Sequence, residues 1–315
     1  MNAPAHGLSI AETAKLTRRV TLLSVGVAGL LVALKAGAWL ASGSVALLAS
    51  LADSGLDLLA SLVTLFAVRY AVSPPDAEHR FGHGKAEAFA SLLQGGLVFA
   101  SAALVGREAV QGLMNPHVIR QEGLAVAVMA VSTVLTMALI GAQSRVLKRT
   151  ASVAVAGDRA HYASDLAANL IGLGGVAAAG LFGIGGFDAV AGLLIAALLV
   201  WGAVGVFRQA SAQLLDRELP PDERARIIKL MTEDARLTHV HQLRTRAAGP
   251  YVHMQMHVDL DPNLTLDTAH RVIVDAENRV LKEFPAADII IHADPRGRAE
   301  PHGGAFPETP SPSLQ

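Results

Sequence analysis

No cysteine occurs among the 315 residues. This excludes disulfides, thiolate metal ligands and a cysteine nucleophile. It leaves the redox compartment open, and any metal site must use nitrogen and oxygen donors. Charge is scarce as well, at 17% of the chain against 52% hydrophobic residues, and the mean hydropathy is +0.41. Soluble chains of this length carry more charge and less apolar surface, so the composition points to a membrane protein. The formal net charge is −1, and neither half has the basic excess of a nucleic-acid surface. Residues 1–19 are polar before the first apolar run, so that run is expected to be a retained anchor and not a cleaved signal peptide. There is no internal repeat and, outside the Pro- and Gly-rich C-terminal tail, no low-complexity block.

What is present is a series of six apolar runs, at about 20–41, 44–70, 88–113, 123–143, 160–182 and 187–207. Each is near the roughly twenty residues that a helix needs to cross a bilayer. Basic residues gather on one side of this pattern: Lys15, Arg18 and Arg19 before span one, Arg69, Arg80 and Lys85 between two and three, Arg145, Lys148 and Arg149 between four and five, and Arg208 after six. The opposite loops hold little beyond Arg120, so both termini are expected in the cytoplasm. Lys35, near the outer end of span one, is expected to snorkel towards the headgroups.

After Arg208 the balance changes: residues 1–208 hold 14 Lys and Arg against 11 Asp and Glu, and residues 209–315 hold 12 against 16. "PPDERARIIKLMTEDA" reads as a helix. "VHQLRTRAA" and "YVHMQMHVDL" read as strands about a turn at Gly249-Pro250. A second amphipathic helix and a third strand, "ADIIIHAD", follow. The fold class is thus an α-helical membrane protein of six transmembrane helices followed by a small α+β domain of order αββαβ. Its expected segments are a cytoplasmic stretch 1–19, a membrane domain 20–208, the α+β domain 209–295 and a disordered tail 296–315.

Chemistry concentrates in three places. Asp53 and Asp57 lie four apart in span two, and His161 and Asp165 lie four apart in span five. Residues at i and i+4 share a helix face, and ionisable groups at membrane depth cost several kcal/mol unless paired or hydrated. If the two helices pack together, three carboxylates and one imidazole converge on a point that suits a tetrahedral divalent metal. The plain alternative is that His161 and Asp165 cap span five while the aspartates line an unrelated polar seam. Ser50, Ser54, Asn169 and Gln94 flank these faces, either hydrating a cavity or, as expected for most of them, hydrogen-bonding helices together. The loop "PDAEHRFGHGK" holds Asp76, His79 and His83, which fit a solvated loop as well as a metal site; the spacing is not HExxH and lacks the general base of a zinc protease. A third set, His241, His257, His270, His292 and Asp294, is spread through the α+β domain, where spacing alone does not separate ligands from bystanders.

The stretches "SLADSGLD", "FGHGKAE", "HYASD", "LLDRELP", "LRTR", "GP" and "IIIHADP" run in order from about residue 44 to 295. In them the chain resembles the cation diffusion facilitator family, and within it the bacterial zinc and ferrous-iron efflux members. The resemblance implies a transport site at Asp53, Asp57, His161 and Asp165, an interfacial zinc site at Asp76, His79 and His83, and a binuclear site at His241, His257, His270, His292 and Asp294 in a metallochaperone-like cytoplasmic domain that dimerises. It further implies a charge pair, Lys85 with Asp216, tying the membrane and cytoplasmic domains together. His239, His253 and His302 match no ligand position.

The activity so implied is a homodimeric zinc/proton antiporter of the bacterial inner membrane, with cadmium and ferrous iron as further cargoes and no catalytic residues. An imidazole must be neutral and a carboxylate ionised before a metal binds, so cation and proton entry oppose each other. Two rival readings are a membrane-anchored zinc sensor, for which buried carboxylates serve no purpose, and an intramembrane metalloenzyme, which needs an open coordination position.

Overall fold

The computed structural model describes residues 6–43, 45–114, 123–182 and 187–298. Six long helices come first: α1 (Ile10–Ser42), α2 (Val45–Ala71), α3 (Ala86–Met114), α4 (Gly123–Leu147), α5 (Val153–Phe182) and α6 (Phe187–Leu214). Then follow α7 (Pro221–Met231), β1 (Val240–Ala248), β2 (Tyr251–Leu260), α8 (Leu266–Glu283) and β3 (Ala287–Pro295). The chain separates into two compact units, one spanning Ala14–Ser211 and one formed by the chain up to Thr13 together with the chain from Ala212.

In the helical unit α1, α2, α3, α4 and α6 are each long and apolar enough to cross a membrane. The remaining helix, α5, runs for 30 residues. Its side chains past Ile171, including most of the glycine-rich stretch "IGLGGVAAAG", lie outside the described residues, as do Arg120 and everything beyond residue 298. Large apolar side chains such as Leu56, Phe66, Leu104, Leu198 and Trp201 face outward, while Ser24, Gln94, Gln143 and Asp158 are buried. That inversion is what lipid demands. Apolar surface needs no shelter there, and association rests on close packing and hydrogen bonds.

Helix α5 packs against α2, α3 and α4. Gly157 permits the approach to α3: a Cβ there would lie 3.0 Å from Ser91 Oγ and 3.1 Å from both Ser91 Cα and Gln94 Cβ. Two helices begin earlier than their hydropathy suggests, α1 at Ile10 and α5 at Val153. For α5 the cause is visible in its partners. Glu87 at the start of α3 accepts a 2.6 Å bond from Ser152 Oγ, which lies just ahead of α5. One turn on, Asp158 is buried among hydrogen-bond donors, so "VAVAGDR" is helix interior and not a polar joint.

The α+β unit follows from simple signals. Pro221 with Asp222 and Glu223 opens α7, matching the proline and acidic preferences of a first turn. Thr265 caps α8, accepting from the Thr268 N–H at 3.3 Å. The sheet order is β1-β2-β3, with β1 antiparallel and β3 parallel to β2. Val252, Met254, Met256, Val258 and Leu260 of β2 are buried with Val272, Ala276 and Val280 of α8 and Ile227 and Leu230 of α7. Strand alternation sends His253, His257 and Asp259 to the opposite face of the sheet.

Candidate metal centres

In the helical unit α2 and α5 bring Asp57, His161 and Asp165 together, with one donor atom from each within 4.8 Å of the others. His161 Nε2 lies 3.0 Å from Asp57 Oδ1 and 3.8 Å from Asp165 Oδ2. The same nitrogen faces both carboxylates. His161 Nδ1 and Asp165 Oδ2 are buried without a hydrogen-bond partner. Buried polar atoms left unbonded cost free energy, and donors so arranged fit a divalent cation. Asp53 stands one turn before Asp57, exposed and outside this group, within electrostatic reach of Lys35, Asp57 and His161.

Lys35 departs from the snorkelling expectation. It is buried, and its ammonium donates to Ser54 Oγ at 2.6 Å and to the Ser50 carbonyl at 3.2 Å. The reason is local: α2 offers it a hydroxyl and a carbonyl inside the bundle, beside a carboxylate. Ser54 and Gln94 both act as links between helices, Gln94 Nε2 reaching the Ala60 carbonyl at 3.2 Å and Thr64 Oγ1 at 2.9 Å.

Asp158 is the functional-looking residue that hydropathy hides. Its carboxylate accepts from Ser24 Oγ of α1 at 2.7 Å, Gln143 Nε2 of α4 at 2.8 Å and Gln94 Nε2 of α3 at 3.3 Å. One signal pointed to it: Asp158, His161 and Asp165 stand at i, i+3 and i+7, one face of one helix. Tyr162 adds a 2.7 Å bond between its hydroxyl and Ser61 Oγ.

Between α2 and α3, Asp76, His79 and His83 also converge. Asp76 Oδ2 lies 3.2 Å from His83 Nε2, and Asp76 Oδ1 lies 3.3 Å from His79 Nδ1. The loop is wound about Asp76, whose Oδ1 accepts the His79 N–H at 2.6 Å and the Glu78 N–H at 2.9 Å. Those two bonds hold its carboxyl below the ordinary range, His79 contributing most. His83 is buried with Nδ1 unbonded.

In the α+β unit His241, His257 and Asp294 form the third group. Asp294 is its centre: Oδ2 is 2.9 Å from His257 Nδ1 and 3.2 Å from His241 Nε2, while Oδ1 is 3.3 Å from His292 Nε2. A carboxylate facing imidazoles through both oxygens is suited to bridging two cations. His270 is exposed on α8, and no contact of the described chain brings it to this group. His253 pairs with Asp288 at 3.2 Å, further along the sheet. Asp216 accepts from Arg246 Nη1 at 3.1 Å within the same unit.

A bundle of membrane helices with a buried His and carboxylate cluster, joined to an α+β domain with a second such cluster, fits a cation transporter. Residues 21–215 match the cation efflux transmembrane domain, and residues 219–296 match the cation efflux protein cytoplasmic domain. The cation-efflux pump FieF of Serratia proteamaculans is 38% identical over 287 residues, covering 90% of this chain and 94% of that protein. FieF of Yersinia enterocolitica is 39% identical with the same coverage, and FieF of Salmonella schwarzengrund is 36% identical over 93% of this chain and 97% of its own. A solved structure of CzrB in a zinc form is 32% identical over 27% of this chain and 98% of its own, with a TM-score of 0.26. The chain belongs to the cation efflux family. It is a multi-pass membrane transporter and not an enzyme.

Proposed function

We propose that the chain exports Zn2+ from the bacterial cytoplasm in exchange for protons, as a homodimer of the inner membrane with both termini cytoplasmic. The observation that carries this reading is the convergence of Asp57, His161 and Asp165 on one buried point, with His161 Nδ1 and Asp165 Oδ2 unbonded. Asp53 is the fourth ligand of the transport site, reached by a side-chain movement over one helical turn. Imidazole nitrogen favours zinc over harder divalent ions, and a set of three oxygens and one nitrogen also takes Cd2+ and Fe2+. Because His161 must be neutral and the carboxylates ionised to accept the ion, each cation bound displaces protons, and protons arriving from the other side release it. This is alternating access driven by a proton gradient.

Asp76, His79 and His83 form a loop zinc site in the same reading. His241, His257, His270, His292 and Asp294 form a binuclear cytoplasmic site that stabilises the dimer. The match of residues 219–296 to a domain family identified with dimerisation supports that role. Lys85 and Asp216 stay a charge pair only as the resemblance implies, and within the α+β unit Asp216 lies 3.1 Å from Arg246 Nη1.

The test uses the purified protein in sealed vesicles loaded with a zinc-sensitive dye. Zinc flux should rise when a proton gradient opposes it and collapse with a protonophore, and the molar mass in detergent should be twice 32.8 kDa. A zinc flux indifferent to the gradient would rule out antiport, and no flux with tight zinc binding would favour the sensor.

A further inference from the structure

On the face of the sheet away from α7 and α8, ligand-type side chains occupy two adjacent rungs. His241, His257 and His292 are neighbours on one, since His241 pairs with His257 and His257 with His292. On the next, Asp259 pairs with Asp294, and the Asp259 N–H donates to the His239 carbonyl at 3.0 Å. Neighbouring strands lie about 4.8 Å apart, which brings donors from three strands on two rungs near one another, although Asp259 stands outside the group of His241, His257 and Asp294 and would join it by side-chain rotation. Neither His239 nor Asp259 belongs to the set His241, His257, His270, His292 and Asp294.

Asp259 is the residue whose surroundings call for an explanation. Its Oδ1 and His241 Nε2 are both buried, neither is satisfied by a hydrogen bond, and they face each other at 3.3 Å. The same His241 Nε2 lies 3.2 Å from Asp294 Oδ2, which lies 2.9 Å from His257 Nδ1. An imidazole nitrogen between two carboxylate oxygens, with one of those oxygens also held against a second imidazole, is a metal-ligand arrangement. A carboxylate that merely oriented His241 would be bonded to it, and the His241 nitrogen would not be left unsatisfied.

Resting on the reading that the α+β unit holds zinc, we propose that Asp259 is a metal ligand. With His241, His257 and Asp294 it gives one ion four protein donors, two nitrogens and two oxygens. That shell is closed, which is the mark of a structural site and not of one that trades ligands with water. The ion is therefore resident, retained while cargo passes elsewhere. His239 stays outside the shell: its Nδ1 is 3.9 Å from Asp259 Oδ2, its side chain is largely exposed, and its ring stacks on that of His241.

The experiment uses the full chain in detergent. Zinc retained against a graded chelator is measured for the parent, Asp259→Asn, Asp259→His and His257→Ala, and visible spectra are recorded after Co2+ replaces zinc. Asp259→Asn should hold one zinc at least about tenfold more weakly and lose four-coordinate cobalt absorption at that site, while Asp259→His should restore tight binding with a shifted cobalt band. Unchanged affinity and spectrum in Asp259→Asn, with zinc lost in His257→Ala, would overturn the assignment of Asp259 and leave the zinc-binding reading intact. Equal zinc retention by the parent and His257→Ala would overturn both.

Discussion

In the helical bundle, Asp57, His161 and Asp165 come from two helices, each of which satisfies its own backbone, whereas in the α+β unit His241, His257 and Asp294 come from three strands joined by one hydrogen-bond ladder. Helices can slide or tilt past each other without breaking a backbone bond, so a cluster between them can open and close. A ladder cannot change register without moving every side chain to the other face. A site that has to release its ion suits the first construction, and one that has to keep it suits the second.

The sharpest way to break that contrast is to remove one ligand from the bundle. Asp57→Ala should lower zinc/proton exchange by more than the roughly 10–100-fold that an outer-shell change costs, and leave the zinc bound by the sheet untouched. Vesicle flux and zinc content measured on the same preparation give the answer, and parallel losses would mean that the two sites are not independent.

Next in size is Gly157→Leu. With Ser91 and Gln94 already within 3.1 Å of a Cβ at this position, a larger side chain drives α3 from α5. Overpacking of this kind costs about 1–3 kcal/mol. Flux should fall and the thermal midpoint drop, again with the sheet's zinc unchanged. A variant with parental flux would show that the close α3–α5 approach does not position the transport residues.

A smaller effect sharpens the comparison by testing the donor set. His161→Asp exchanges the only nitrogen donor of the transport site for oxygen, so the order of initial uptake rates should move from zinc towards cadmium and manganese. An unaltered order would remove His161 from the ligands.

The smallest effect lies on the surface of the α+β unit, away from His241, His257 and Asp294. Arg236 donates to Asp234 through its side chain and its backbone N–H, holding that carboxyl at about 2 against an ordinary 3.8, the side-chain bonds contributing most. The folded form therefore gains stability that is fully present above about 3.8 and disappears as pH falls through about 2. Asp234→Asn should lower the thermal midpoint slightly at neutral pH, and the difference should vanish at the acid end. A difference that persists at the lowest pH would point to packing and not charge.

The α+β unit was nearly all legible in the sequence. Strand β2 begins and ends where its alternating pattern does, because one face must be apolar, whereas β1 has the expected ends but carries a register shift between His241 and Arg244 that the sequence did not announce. The membrane helices were legible in number but not at their ends. Hydropathy weighs residues one at a time, and Asp158 counts as polar however well Ser24, Gln94 and Gln143 satisfy it. Lys35 was misjudged for the same reason, since its partners Ser50 and Ser54 belong to another helix. Of the four residues proposed for transport, Asp57, His161 and Asp165 meet and Asp53 does not, a distinction that two equal i,i+4 spacings cannot carry.

The bonds around Asp158 also bear on how the protein is made. Ser24, Gln94 and Gln143 belong to α1, α3 and α4, and all three leave the ribosome before the acceptor they share. Until α5 enters the bilayer, those helices carry polar side chains that lack this partner, at a place where lipid offers none. The bundle consequently locks only when its fifth helix arrives. That helix also carries His161 and Asp165, so a half-synthesised chain has neither the lock nor the cluster.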